Sequence, residues 1–591
     1  MRWVAVGFVL FMLLAGVGGS PTEPTHRAKR QVVAQLDTLR TYVDATFLPL
    51  AQRTRSTDSL RAAFVAMRRH YKTVEPVTAY FMPYLHRQFN GPPVPEVEVD
   101  EGRVVPPAGL QIIEAILYPA FDPARRADLL REIATFQNNL HSARYLWYAA
   151  NTTDAQLFDL MRLGTFRLAT LGISGSDTPA CRTAIPEAAE TLRSLQRLLR
   201  LYKTGATTYH DLDSRFDRAI AYCRQHADFE LFDRAVFLRA YLNPLSVGLL
   251  DYQLSLGIAP LTDQRPLHTT ARTLFDRDAF NPGFYAPTAD QRPTPARVAL
   301  GRRLFADPIL SGDGGRSCAS CHQPGRAFTD GLPRAAELGT SADGPLRNTP
   351  TLLNAALQAR QFYDLRANTL EGQAFEVVHS RAEMGGSLEG AAQRMRRSRA
   401  YRAAFRKAFP DAVPSLTADQ IQNALASYER SLISLDSRFD RYMRGQDAAL
   451  TRQEVRGFNV FMGKGQCGIC HFLPLFNGTV PPAFTQTEAE VIGVPSRPDN
   501  RQLDGDGGRY VRTQAEPLRY AFKTPTLRHV AQTAPYMHNG VYRTLGEVVD
   551  FYDRGGGKGL GFDLPNQTLP EGSLHLTTAE KKALVTFLKA L

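Results

Sequence analysis

Tryptophan and cysteine are scarce in this chain of 591 residues, which holds two of the first, Trp3 and Trp147, and six of the second. Beyond the N-terminal segment no apolar run is long enough to cross a bilayer as a helix, which excludes a multi-span membrane protein. No nucleic-acid-binding motif occurs. Lys and Arg outnumber Asp and Glu by 70 to 58, a formal charge of +12, but the excess is spread along the chain in short clusters such as residues 394–402. It reads as a solvated basic surface, one that an acidic electron-donor protein could use in association, with no nucleic-acid partner.

Four of the six cysteines fall into two copies of one motif, Cys318-Ala-Ser-Cys321-His322 and Cys467-Gly-Ile-Cys470-His471. Each reads as a c-type haem attachment site: the two thiols form thioethers to the haem vinyls, and the adjacent histidine supplies the proximal nitrogen to iron. A structural zinc site would bring its cysteine pairs much closer in sequence. Two covalently bound haem c groups are therefore expected. The other two cysteines, Cys181 and Cys223, read equally well as a disulfide and as two buried apolar side chains. Arg2, an apolar run over 3–18 and the small residues Gly18-Gly19-Ser20 have the layout of a secretory signal over 1–20, which places the protein in the periplasm; an uncleaved anchor is the other reading.

A 43% hydrophobic fraction supports ordinary globular cores, and the length suits about three or four domains. Apolar residues recur at three-and-four spacing from 32 to 256, for example over 60–70 and 187–202, which predicts an all-helical N-terminal domain over 30–260. Proline-rich punctuation around 280–295 marks a linker. A first Cys-x-x-Cys-His domain then spans 265–445 and a second 446–591. Each has a helix just before its motif, 295–305 and 453–462, the second opened by Thr451 and Glu454 as a capping pair. The two look like a distant duplication. The fold class expected is mainly α: an all-helical domain followed by two c-type cytochrome domains.

The runs Ala299-Leu-Gly-Arg-Arg-Leu-Phe-Ala-Asp-Pro, Ser317-Cys-Ala-Ser-Cys-His-Gln-Pro, Phe328-Thr-Asp-Gly, Arg347-Asn-Thr-Pro-Thr-Leu-Leu-Asn, Phe522-Lys-Thr-Pro-Thr-Leu-Arg-His and Thr533-Ala-Pro-Tyr-Met-His-Asn-Gly closely resemble the bacterial dihaem cytochrome c peroxidase and MauG family. The resemblance covers residues 293–590. It implies a peroxidatic first haem with an open distal face and a six-coordinate electron-transfer second haem. Glu383 matches the family's distal acid and Gln373 its distal glutamine; a carboxylate held over the iron by an amide can move a proton between the two oxygens of peroxide. A glutamate taken alone would read as a solvated helix face. No histidine lies between His322 and His379, so the distal histidine of some members has no counterpart and the first haem is expected to be ready without reductive activation. His379, four residues before Glu383, reads as a satisfied loop histidine.

For the second haem, the family's peroxidases use a methionine as sixth ligand and its MauG-like members a tyrosine. No methionine follows Met537, and the matching position makes Tyr552 the candidate opposite His471, where it would lower the potential; otherwise it is a helix core residue. Tyr363 stands where members commonly carry an inter-haem tryptophan, a departure that makes hole transfer proton-coupled. His538 resembles a histidine near the inter-haem gap that bonds a propionate. The resemblance further implies one Ca²⁺, held by Asn348 and by the carbonyls of Thr533 and Pro535, positions that turn chemistry would equally explain.

More loosely, Asn90-Gly-Pro-Pro-Val-Pro-Glu and Gly109-Leu-Gln-Ile-Ile-Glu114 look like imelysin-type helical domains. Gln111 stands in place of the motif histidine, so metal binding is not expected and an accessory or docking role is. The functional expectation is an oxidoreductase of the cytochrome-c peroxidase class, reducing hydrogen peroxide with electrons from a small cytochrome c or cupredoxin. A MauG-like enzyme oxidising a protein or other substrate by long-range electron transfer is the second reading, and a non-enzymatic dihaem carrier the third. A homodimer is left open.

Overall fold

Most of the helices begin at a side chain that satisfies their first free N–H groups. Thr153 with Gln156, Thr417 with Gln420, Thr451 with Glu454, Thr544 with Glu547 and Thr577 with Glu580 each form a reciprocal capping box. The computed structural model describes residues 23–98, 103–262, 265–335, 347–411, 416–570 and 572–591. The candidate secretory signal over 1–20 lies outside them. The architecture is mainly α, with two short antiparallel pairs of strands, Glu96–Glu98 with Arg103–Val105 and Ala489–Val491 with Ala521–Lys523. Among the described residues no helix is long and apolar enough to cross a membrane.

The helix expected over 60–70 is longer, Thr57–Phe81, and runs through Pro76. Its buried face of Leu60, Phe64, Met67, Tyr71 and Val74 keeps one stripe against the core. The stretch over 187–202 is the helix Ala184–Leu199 followed by a 3₁₀ turn to Tyr202. The first strand pair interrupts a region whose periodicity read as helical throughout. Between these helices lies a buried ionic cluster: Arg68 pairs with Glu187 (2.7 Å), Lys72 with Glu75 (2.8 Å) and Asp177 (2.6 Å), and Arg167 with Asp177 (2.9 Å). Gln111 donates to the Asn90 carbonyl (3.0 Å), and Glu114 accepts from the backbone N–H groups of Ala180 and Cys181. Cys181 and Cys223 are both free thiols; Cys223 is fully buried, whereas Cys181 is half-buried with its Sγ 3.2 Å from the Thr183 hydroxyl.

The two Cys-x-x-Cys-His units repeat one helix crossing. In the first, Pro295–Ala306 packs on Ala418–Arg430, and in the second Arg452–Met462 packs on Thr578–Leu588. Both crossings close on a glycine. A Cβ on Gly301 would stand 1.9 Å from the Ala424 carbonyl oxygen, and one on Gly457 would stand 2.1 Å from that of Ala583.

The first unit has its own apolar core, from Leu300 to Tyr428. The second has two small clusters of its own, around Phe551 and Val491, but most of its core is shared: one continuous core runs from Val32 and Phe64 in the N-terminal helices through Phe439 of the first unit and Phe461, Phe476 and Phe587 to Leu591. Polar contacts seal that junction, with Asn459 accepting from the Ala235 N–H and donating to Asp233, both at 3.0 Å.

Candidate functional site

A c-type haem needs its histidine neutral and turned so that Nε2 keeps a free lone pair. In the first motif, Cys318–Cys321 is one helical turn capped by Ser317, and His322 follows with Nδ1 3.0 Å from the Phe328 carbonyl oxygen. A carbonyl only accepts, so Nδ1 carries the proton and Nε2 is left for a metal. In the second motif His471 does the same through Nδ1 to the carbonyls of Phe476 (3.2 Å) and Pro525 (3.1 Å). Burial holds both imidazoles neutral, lowering His322 and bringing His471 down to about 4.

The second motif opens into a cavity of about 230 Å³ whose wall includes Cys467, Cys470, His471 and Tyr552. Tyr552 sits in the last turn of the helix Leu545–Asp553. Burial raises its phenol, with Cys470 and Cys467 near enough to add to the effect. Two thiols, an imidazole with Nε2 spare and a phenol around one apolar hollow are a donor set that fits a covalently attached haem.

The same cavity reaches the boundary between the two units. Tyr363, Asn348, Thr533, Pro535 and His538 all line it. The carbonyl of Tyr363 accepts from the Lys523 N–H (2.6 Å), which pins the Tyr363 segment to the short strand of the second unit. Burial raises the Tyr363 phenol, opposed by Arg347. Asn348 donates through Nδ2 to the Leu332 carbonyl (2.8 Å), and its backbone N–H donates to the carbonyl of His538 (2.7 Å). The His538 ring stacks on Phe522 with centroids 3.8 Å apart and has Nε2 3.3 Å from Asp504.

Gln373 lies in the helix Leu370–His379, which Thr369 caps. Glu383 follows in a tight loop fixed at three points: Glu383 N–H to Ser380 O (3.2 Å), Gly386 N–H to Val378 O (2.8 Å) and Gly312 N–H to Met384 O (2.9 Å). Here Gly312 and Gly386 allow backbones to touch, since a Cβ on either would lie 2.1 Å from a carbonyl oxygen of the opposite strand of chain. The Glu383 Oε2 is buried with no hydrogen-bond partner. Burial raises its carboxyl, Arg366 opposes this and Glu376 adds to it, and the group is close enough to Cys321 to raise that thiol. An orphaned acid within electrostatic reach of an attachment cysteine, Cys321, is what a reacting ligand would satisfy. Arg366 is itself held by Glu376 (2.6 Å) and Asp364 (3.0 Å). His379 donates through Nδ1 to the Phe375 carbonyl (2.8 Å) and closes the last turn of its helix.

Two residues on these walls escape sequence reasoning. Lys523 is buried, donates to Gln358 (2.7 Å) and is lowered by burial to about 8; its place in the Phe522-Lys-Thr-Pro run was the available signal. Glu490 lines the same cavity beside Cys470, with its carboxyl raised chiefly by burial. No pattern in its short strand sets it apart.

A family model described as di-haem cytochrome c peroxidase matches residues 295–448. The chain is 35% identical over 299 residues to methylamine utilization protein MauG of Methylorubrum extorquens, spanning 50% of this chain and 78% of that one. It is also 35% identical over 309 residues to cytochrome c551 peroxidase of Pseudomonas aeruginosa, spanning 52% and 84%. Among solved structures, the diheme peroxidase BthA from Burkholderia thailandensis is 27% identical with a TM-score of 0.41, over 54% of this chain and 88% of that one.

Proposed function

Because the chain belongs to the dihaem cytochrome c peroxidase and MauG family, and is therefore an oxidoreductase of the peroxidase class with two c-type haems, we propose that it reduces hydrogen peroxide to water at the first Cys-x-x-Cys-His unit, with electrons delivered through the second by a small periplasmic cytochrome c or cupredoxin. The observation that carries this reading is the difference between the two units: an orphaned carboxyl, Glu383, stands by the first, and a phenol, Tyr552, by the second.

The haems, when bound, supply the iron centres that accept peroxide and pass electrons. The protein supplies the proton work. Glu383 takes a proton from one peroxide oxygen and returns it to the other as water leaves, and its raised proton affinity favours the return. Gln373 orients the oxygen pair from the helix above. Tyr363, in the wall between the units, passes oxidising equivalents only if its phenol gives up a proton, because burial keeps it protonated at rest. His322 and His471 would each hold a haem iron through Nε2, Tyr552 would supply a further oxygen donor to the second haem, and His538 would bond a propionate. Asn348, with Nδ2 turned to Leu332, has Oδ1 left for a Ca²⁺ shared with the carbonyls of Thr533 and Pro535.

Domains are assigned at 30–260, 265–445 and 446–591, with the imelysin-like helical region as an accessory module. Tyr552 also favours a second reading, a MauG-like enzyme that draws electrons from a protein substrate.

Peroxide consumption with reduced cytochrome c tests the first reading. Wild type should turn over, Glu383→Ala should lose about 10²-fold or more, and equal rates in the two proteins would remove the assignment.

A further inference from the structure

The run Tyr363-Asp364-Leu365-Arg366 belongs to the first Cys-x-x-Cys-His unit by sequence, yet the second unit holds it. Besides the Lys523 N–H on the Tyr363 carbonyl, Arg509 donates through Nη1 to the carbonyls of Asp364 (3.0 Å) and Leu365 (3.2 Å). Side chains extend the hold. Asp506 of the second unit accepts from Nε (2.7 Å) and Nη2 (3.0 Å) of Arg347, whose Nη1 donates to Asp364 (2.9 Å). Asp364 also accepts from Nη1 of Arg366 (3.0 Å), and Nε of Arg366 donates to Glu376 (2.6 Å). The carboxylates of Asp364 and Asp506 are only 5% and 7% exposed, so solvent screens this ladder weakly. Its last rung carries the loop of Glu383: the Glu376 carbonyl accepts from the Ser380 N–H (2.9 Å), and the Ser380 carbonyl accepts from the Glu383 N–H (3.2 Å).

We propose that Arg347 and Asp364 are positioning residues for the first unit, through which Asp506 of the second unit holds the Arg366 guanidinium by Glu383 and so governs how readily that acid takes a proton. The inference rests on Glu383 as the acid of the proposed function. Arg366 is the positive charge that opposes the effect of burial on the Glu383 carboxyl, while Glu376 adds to that effect and the Cys321 thiol lies within reach. Other charged groups on the surrounding elements are engaged or turned away. His379 donates to the Phe375 carbonyl, Glu371 is taken by Arg430 (2.6 Å), Asp313 accepts from the Gly315 N–H (2.8 Å), and Arg381 is exposed. Asp364 is thus a counter-charge shared between two arginines. A stronger claim of Arg347 on it leaves Arg366 freer to act on Glu383, and a weaker claim leaves Arg366 more fully neutralised.

Glu383 can be titrated in the holoprotein without peroxide, by the infrared carbonyl band of its protonated carboxyl, identified by its loss in Glu383→Gln. Arg347→Gln leaves Asp364 to Arg366 alone and removes a positive charge, so the titration should move up by about half a pH unit. Asp506→Asn gives Arg347 wholly to Asp364 and removes a negative charge, so the titration should move down by a similar amount. Arg366→Gln should move it up by about one unit. Haem absorbance shows whether each variant is folded; should Arg347→Gln not fold, Asp506→Asn and Arg366→Gln, opposite in sign, still decide. Opposite shifts carry the proposal, because mere loosening of the fold has no reason to change sign with the charge removed. Arg347→Gln and Asp506→Asn moving the titration together, or neither moving it, overturns it. Peroxide consumption by the same proteins judges the proposed function separately: a wild type that consumes none, while the titration shifts as described, refutes the peroxidase reading and leaves the ladder standing.

Discussion

Gly301 and Gly457 hold the same post in the two Cys-x-x-Cys-His units, each pressed against a carbonyl of the closing helix, Ala424 in one and Ala583 in the other. A methyl group at either position has no room. Gly301→Ala and Gly457→Ala should each cost about 1–3 kcal/mol or more through forced separation of the helices. Gly205→Ala, where nothing lies within 4 Å of an added Cβ, should stay within about 0.5 kcal/mol. Denaturant unfolding followed by haem absorbance measures all three.

The pH profile should carry the signature of Glu383. The base must be deprotonated to accept a proton, and burial lifts its proton affinity above that of an ordinary glutamate. kcat/KM for peroxide should therefore fall as pH drops through a value above the usual carboxylate range. Glu383→Gln should flatten that acidic limb as well as lowering the rate; a limb that survives the substitution belongs to another group.

Tyr552 should be visible in the electron paramagnetic resonance spectrum of the oxidised protein. Wild type should give one high-spin and one low-spin haem, and Tyr552→Phe should change the low-spin signal and raise the potential of the second haem, since loss of a phenolate removes a donor that favours ferric iron. An unaltered low-spin signal would transfer the sixth position to a different residue.

Stability should depend on the buried ionic cluster of the helical region. Burial alone would raise Asp177 and Glu187, yet Arg167 and Lys72 bring Asp177 well below its ordinary value, and Arg68 and Lys72 lower Glu187. A carboxyl lowered in the folded state stabilises it above the unfolded value of about 4, and that contribution is lost as pH falls toward the folded value. Thermal unfolding should shift downward on acidification below about pH 4. Asp177→Asn should cost about 3–5 kcal/mol, because it leaves Arg167 and Lys72 buried with too little counter-charge.

Local signals made the helices readable. Thr451 and Glu454 announce the helix Arg452–Met462 because a capping box is written in four consecutive residues, and each haem attachment is written in five. What joins distant segments left no such trace. Lys523 meets Gln358 across 165 positions. The cavity that collects Tyr363, Asn348 and Tyr552 draws on segments whose own periodicity says only helix or turn, and for Tyr363, Asn348 and Tyr552 it was the family resemblance that marked them. The strand pair Glu96–Glu98 and Arg103–Val105 was missed because three-residue strands are too short for alternation to register.

The continuous core between the N-terminal helices and the last unit has a consequence for biogenesis. Synthesis runs from the N-terminus, so the helical region emerges long before Phe461, Phe587 and Leu591 arrive to cover its apolar side. In the interval that side is open, and the first Cys-x-x-Cys-His unit, with a core of its own, can close around its haem while its neighbours wait. Maturation should thus be vectorial in haem order but not in folding order: the opening and closing segments of the polypeptide become native together, and loss of a few C-terminal residues should be felt hundreds of positions upstream.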